Sequence, residues 1–175
     1  RAFWRWTEHL DTTTVRFRPA VNERLAATAV LGTQQLNLHP GANHEGVFAM
    51  WYGKGPGLDR AGDALKHANS LGTSPRGGVL VVVGDDHGAV SSSMAHQCEQ
   101  AMASWMMPVL HPASIREYLE FGLLGFAMSR YSGCYVGFKA VSAVVEAAAS
   151  VALDVPDLVI REPEDFTLPP DGVHI

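Results

Sequence analysis

Two hydrophobic periodicities alternate along the chain. Gly78-Val79-Leu80-Val81-Val82-Val83-Gly84 is almost purely Val and Leu, as expected of a strand buried on both faces of a parallel sheet. Gly46 to Trp51 reads as a second strand, and Val15 to Arg18, Pro108 to Leu110 and Tyr135 to Ala140 as shorter ones. Elsewhere the apolar residues recur every three or four positions. Leu25, Ala29, Gly32 and Leu36 share a face of a helix predicted over Asn22 to Leu36, with Asn22 as its N-cap. Further helices are predicted over Asp59 to Leu71, Ser93 to Ser104 and Ser142 to Leu153. Another starts at Ser114, where Glu117 completes a capping box and Ile115, Tyr118, Leu119, Gly122 and Phe126 line one side. Strands alternating with helices in this way predict an α/β fold with a mostly parallel sheet covered on both faces.

Composition narrows the function classes. The chain has 175 residues and 47% hydrophobic content, enough for one domain with a proper core. A net charge of -5 leaves no electrostatic footprint for nucleic acid. No apolar run reaches the ~18 residues of a membrane span. Neither a nucleic acid nor a membrane is therefore expected as a partner. The two cysteines, Cys98 and Cys134, lie far apart without a C-x-x-C, which points to a reducing, cytoplasmic setting. The domain is expected to span residues 1–155, with 156–175 as a proline-rich linker or tail. Arg1 to Trp6 reads as the middle of a helix, so the sequence is expected to be a segment of a larger polypeptide.

Chemistry concentrates in the loops after the strands, where open α/β sheets carry ligands. Glu23 stands at the first turn of its helix, on the stripe of Ala26, Ala27 and Val30. A carboxylate among small apolar residues suits proton sharing; the alternative is a solvated acid at a helix N-terminus. Gly53-Lys54-Gly55-Pro56-Gly57 could cradle a phosphate, although it lacks the phosphate-loop spacing and reads equally as a tight strand-to-helix turn. Lys54 is otherwise an ion-pair partner for Asp59 or Asp63.

Asp85, Asp86 and His87 are metal-compatible residue types, but consecutive side chains diverge, so no metal is expected there. Asp85 is expected to cap the turn, with Ser91 to Ser93 opening the next helix. Eight histidines show no zinc spacing, and no serine stands in a G-x-S-x-G elbow. Trp51, Tyr52, Trp105 and Phe126 are expected in the core.

The runs Val21-Asn22-Glu23, Phe48 to Arg60, Lys66-His67-Ala68-Asn69, Gly84-Asp85-Asp86-His87, Met107-Pro108-Val109-Leu110 and Met128-Ser129-Arg130-Tyr131-Ser132-Gly133-Cys134 resemble the indolepyruvate ferredoxin oxidoreductase family. The likeness is to its long, fused form, among the thiamine-diphosphate-dependent 2-oxoacid:ferredoxin oxidoreductases, and covers roughly Val15 to Leu153. It implies a pyrimidine-binding domain of the thiamine-diphosphate type, lacking its first strand. In that family a glutamate hydrogen-bonds the aminopyrimidine ring and promotes the tautomer that takes the thiazolium proton; Glu23 falls at its place.

Asn22, Lys54, Asp59 and His87 are then expected to line the cofactor. The overall reaction implied is oxidative decarboxylation of an aryl 2-oxoacid to an acyl-CoA, with electrons passing to ferredoxin. Magnesium and the diphosphate would be anchored by another domain, since Gly84-Asp85-Asp86 has aspartate where a Gly-Asp-Gly anchor has glycine. Iron–sulfur clusters and the CoA site would also lie elsewhere, because two distant cysteines build no cluster. Expected partners are the diphosphate domain, the cluster-bearing region, ferredoxin and a second copy in a homo-oligomer. The fragment alone is expected to be inactive. The rival readings are a thiamine enzyme without iron–sulfur chemistry and a non-catalytic domain of the same fold.

Overall fold

The valine-rich run is the centre of the sheet, as its lack of polar positions requires. A computed structural model describes residues 13–152 and 158–167. In chain order the elements are α1 (Glu23–Gln34), a 3-10 turn (Leu36–Leu38), β1 (Phe48–Lys54), α2 (Gly55–Leu71), β2 (Gly78–Asp85), α3 (Glu99–Ser104), β3 (Val109–Leu110), α4 (Ile115–Ser132), β4 (Val136–Val141) and α5 (Ser142–Val145). The four strands are parallel, in the order β1-β2-β4-β3.

That order places the helices. The chain steps from β1 through β2 to β3 in one direction and returns to β4, so right-handed crossovers send α4 to the face opposite α2 and α3. Val79, Val81 and Val83 accordingly form one core with Leu58 and Leu65 of α2, Met102 of α3, Trp51, and Ala27 of α1. Leu80, Val136 and Leu110 pack under Gly125 of α4 on the other face, where a Cβ would stand 2.6 Å from Leu80 Cδ2.

Gln34 ties α1 to the sheet. Its side chain, 5% exposed, donates to the Val47 carbonyl (3.0 Å) and accepts from the amides of Gly78 (3.2 Å) and Ser74 (3.3 Å).

The sequence expectations hold at the centre and shift at the margins. Asn22 is the N-cap, accepting from Leu25 N at 2.9 Å, but the helix ends at Gln34 and Leu36 belongs to the 3-10 turn. The first paired strand starts at Phe48 instead of Gly46 and runs on to Lys54, because Gly53 and Lys54 still have partners in Val83 and Gly84. The glycine loop is not a loop: α2 starts at Gly55 instead of Asp59, with Pro56 in the first turn, where its missing N–H costs nothing.

Val15 to Arg18 forms no strand, since no strand among the described residues forms a ladder with it. The helix expected from Ser93 starts at Glu99, because the Ser91 and Ser92 hydroxyls turn back to Asp86. The Ser142 to Leu153 helix stops at Val145; Glu146 to Ser150 are exposed and have no core to pack against, and Leu153 is outside the described residues. Tyr52 is 47% exposed, so of the aromatics expected inside only Trp51 is fully buried. In α4, Ser114 Oγ accepts from Glu117 N, while the Glu117 carboxylate bonds Ala113 N, one residue before the cap. The domain boundary at 155 and the first residues also fall outside the described residues. Between 158 and 167 there is no helix or strand. No helix among the described residues is long and apolar enough to cross a membrane.

Candidate functional site

The carboxyl ends of β1, β2 and β4 bring the glycine-rich turn and the 86–98 loop together. Parallel strands end here with their chains leaving toward different faces, which opens a crevice in folds of this type.

Glu23 stands on the α2 side of that edge. Trp51 Nε1 donates to its backbone carbonyl at 3.0 Å, and a Cβ on Gly57 would meet Glu23 Cγ at 2.7 Å. Glycine at 57 therefore gives the carboxylate room against the first turn of α2. The Glu23 side chain is 38% exposed, and Arg60 Nη1 lies 3.9 Å from Oε2. The half-buried setting expected from its stripe is present: Ala27 is buried, and Ala26 and Val30 pack against the core.

On its other flank, α2 meets His96. A Cβ on Gly55 would touch the His96 side chain at 2.7 Å, and His96 Nδ1 lies 3.9 Å from Asp59 Oδ2. Gly55 and Gly57 thus admit an imidazole and a carboxylate to the first turn of the same helix. Asp59 is 66% exposed at its side chain. His96 carried no pattern in the sequence, because its proximity to α2 comes from the course of a loop.

Lys54 is not free to clamp a ligand. Its ammonium donates to the Ser91 carbonyl (2.6 Å) and hydroxyl (2.9 Å), with Asp86 Oδ2 at 3.6 Å, so its partner is neither Asp59 nor Asp63. Asp86, not Asp85, closes the turn: it accepts from Val90 N (2.9 Å), Ser91 N (2.8 Å) and the hydroxyls of Ser91 and Ser92. The backbone bonds from Ser91 and Val90 pull its pKa down from 3.8 to about 2.

Asp85 turns the other way, into a buried ion group. Its Oδ2 accepts from Cys98 N at 2.9 Å and lies 3.4 Å from Lys139 Nζ. Lys139, 1% exposed, also donates to Glu99. Burial works against both charges, yet the pairing lowers the Glu99 pKa and raises that of Lys139. Burial, together with Asp85, pushes the Cys98 thiol well up, which keeps it protonated.

His87 Nε2 lies 3.9 Å from Asp85 Oδ2 at the outer rim of this group. Asp85, His87 and Glu99 each place a donor atom within 4.8 Å of the others, a convergence that adjacent-residue reasoning overlooked because Glu99 is distant in sequence. The Lys139 ammonium already supplies a cation to both carboxylates.

Of the expected site residues, Asn22 and Glu23 sit together at the start of α1, and Asp59 shares the first turns of α2 with Glu23's neighbour Arg60. Lys54 and His87 lie on the 86–98 loop side, each tied to one of the two aspartates. No protein-family model matches the chain, and no curated protein matches it significantly.

Proposed function

We propose that this chain is the pyrimidine-binding half of a thiamine-diphosphate site in a 2-oxoacid:ferredoxin oxidoreductase, with an aryl 2-oxoacid such as indolepyruvate as substrate. The parallel α/β sheet agrees with such a domain, and the motif resemblance supplies the family. The single observation that carries the reading is Glu23. It is a half-buried carboxylate at a helix start, set against a glycine that leaves it room, on the ligand-bearing edge of the sheet.

The fit is to one half of the cofactor. Gly55 and Gly57 let the His96 imidazole and the Glu23 carboxylate pack against the first turn of α2, so the carboxylate at this helix start is the group offered to a ring nitrogen. A diphosphate–magnesium anchor does not fit here. Asp86 already holds four loop donors and pairs with Lys54, and Asp85 Oδ2 is taken by Lys139 and Cys98 N. That anchor belongs to a separate diphosphate domain, and electrons leave through clusters outside this chain.

The bound cofactor supplies the electron sink for decarboxylation. Within this chain the Glu23 carboxyl is the group that exchanges a proton with a ring nitrogen, Arg60 stands 3.9 Å from its Oε2, and Trp51 fixes its backbone. Asn22 holds the helix start so that the carboxylate does not swing away. Asp59 reaches the site from the first turns of α2 beside His96, whereas His87 stands with Asp85 and Glu99.

The test uses the assembled enzyme that carries this domain, wild type against Glu23→Gln. Reduction of a low-potential acceptor is followed with indolepyruvate, CoA, thiamine diphosphate and magnesium. The reading expects turnover to fall by about 10²-fold or more with the cofactor still bound. Near-wild-type turnover in the variant rules Glu23 out of proton transfer. A wild type silent with every 2-oxoacid favours a non-catalytic domain.

A further inference from the structure

A second feature of the same sheet edge lies on the face away from Glu23. Side chains of β1, β2 and β4 that point toward the α4 face line a cavity of about 340 Å³, closed at one end by α5. Tyr52, Val82, Ala140 and Val145 give it an apolar wall, with Lys54, Asp86, Ser91 and Ser142 as polar neighbours. It is an open groove, with Tyr52 and Val145 about half exposed, and its volume is in the range that takes a small molecule. It also sits between β2 and β4, whose chains leave in different directions, into the 86–98 loop and into α5.

The charges around it select the ligand. Lys54 and Asp86 both line the cavity, but they are spent on each other and on Ser91. Lys54 can bind a ligand anion only by giving up its loop contacts, and the Asp86 carboxylate is held by four loop donors and offset by the Lys54 ammonium. Asp85 contributes no charge to the cavity, because its carboxylate is buried against Lys139 on the opposite face. The remaining charged group is Glu146, exposed at the end of α5 and without an ion pair among the described residues. An apolar slot with one unspent carboxylate at its rim matches a flat apolar body carrying a cationic amine, and disfavours the corresponding carboxylate.

We propose that this cavity is a binding site for an aromatic amine, with the ring between Tyr52, Val82 and Val145 and the ammonium on Glu146. The site is separate from Glu23 and stands whether or not the thiamine reading does.

Tryptamine and indole-3-acetate are matched probes of opposite charge. Titrated into the 175-residue chain at neutral pH, tryptamine shifts the methyl signals of Val82, Ala140 and Val145 in carbon–proton correlation spectra, and indole-3-acetate binds at least about tenfold more weakly. Two variants test the parts. Glu146→Gln, a change at an exposed position, keeps ring binding and removes the preference for the amine. Gly84→Val projects methyls into the cavity, where a Cβ has only the Gly53 carbonyl at 3.8 Å, and abolishes binding of both probes while the rest of the spectrum stays native. Tryptamine leaving those methyls unmoved, or binding as well after Gly84→Val, overturns the site. Equal binding of the two probes, or a preference that survives Glu146→Gln, overturns the assignment to an amine.

Discussion

Asp85 and Asp86 are neighbours in sequence, yet they leave β2 on opposite faces of the sheet and clip opposite ends of one loop. Asp86 holds the outgoing turn through Val90 and Ser91, and Asp85 holds the return through Cys98 N. Strand alternation makes this division of labour possible. It fixes the loop that carries His87 and His96 to the site edge.

The Asp86 clip is sensitive to acid, and the sign follows from its depressed pKa. Its stabilising contribution is complete above the ordinary value of 3.8 and is lost as pH falls toward about 2. Amide exchange at Val90 and Ser91 should accelerate over that window before the core amides of β2 respond. Asp86→Asn should show the fast exchange already at neutral pH.

The Asp85 clip depends on Lys139. Removing the ammonium by Lys139→Met leaves Asp85 buried without its counter-charge, which should cost about 3–5 kcal/mol in urea unfolding. The pair has its own pH signature. Because the folded-state pKa of Lys139 is raised, its contribution is present below 10.5 and declines as pH rises beyond that value. Above pH 10.5 the wild type should therefore lose stability more steeply than Lys139→Met, which keeps only the alkaline loss from buried groups such as the Cys98 thiol and the Tyr135 hydroxyl.

Gln34 is a third place where a buried polar side chain decides stability. Gln34→Leu conserves much of the volume but strands the amide of Gly78 and the carbonyl of Val47. A loss of about 2–3 kcal/mol is expected, larger than for Gln34→Glu at a pH where the acid is protonated and can still hold the Gly78 amide.

Close packing under β4 gives a fourth. A Cβ on Gly137 would fall 2.3 Å from Met102 Sδ, so Gly137→Ala must push α3 or its methionine outward. Thermal unfolding should show a destabilisation of about 1–3 kcal/mol. Gly137→Ala combined with Met102→Ala should recover the part that comes from the clash.

The sheet was legible because its centre is spelled in unbroken valine and its helices in three-and-four spacing. Asn22 and Ser114 announced their caps, and both make the bonds expected of them. Val15 to Arg18 misled for a physical reason: a strand is a property of a pair, and β propensity without a ladder partner yields only an extended chain. Ser91 to Ser93 look like a helix start, but hydroxyls can satisfy a carboxylate as readily as an N-terminus, and Asp86 recruits the first two.

At the site, the stripe of Ala26, Ala27 and Val30 made the half-buried side of Glu23 legible, but its contacts with Trp51, Gly57 and Arg60 come only from the fold. Lys54, His96 and Lys139 were not legible even to that extent. Their partners are 37, 37 and 54 residues distant, at Ser91, Asp59 and Asp85, and only the folded edge of the sheet brings them together.

The most direct measurement of the central claim is proton exchange at the thiazolium C2 position of thiamine diphosphate bound in the assembled enzyme. Deuterium incorporation after mixing with heavy water is quenched and read by NMR, for wild type and Glu23→Gln. Exchange slower by about 10²–10⁴-fold in the variant, with cofactor occupancy unchanged, is the predicted result. Equal exchange rates would contradict the account and leave Glu23 a helix-start carboxylate paired with Arg60.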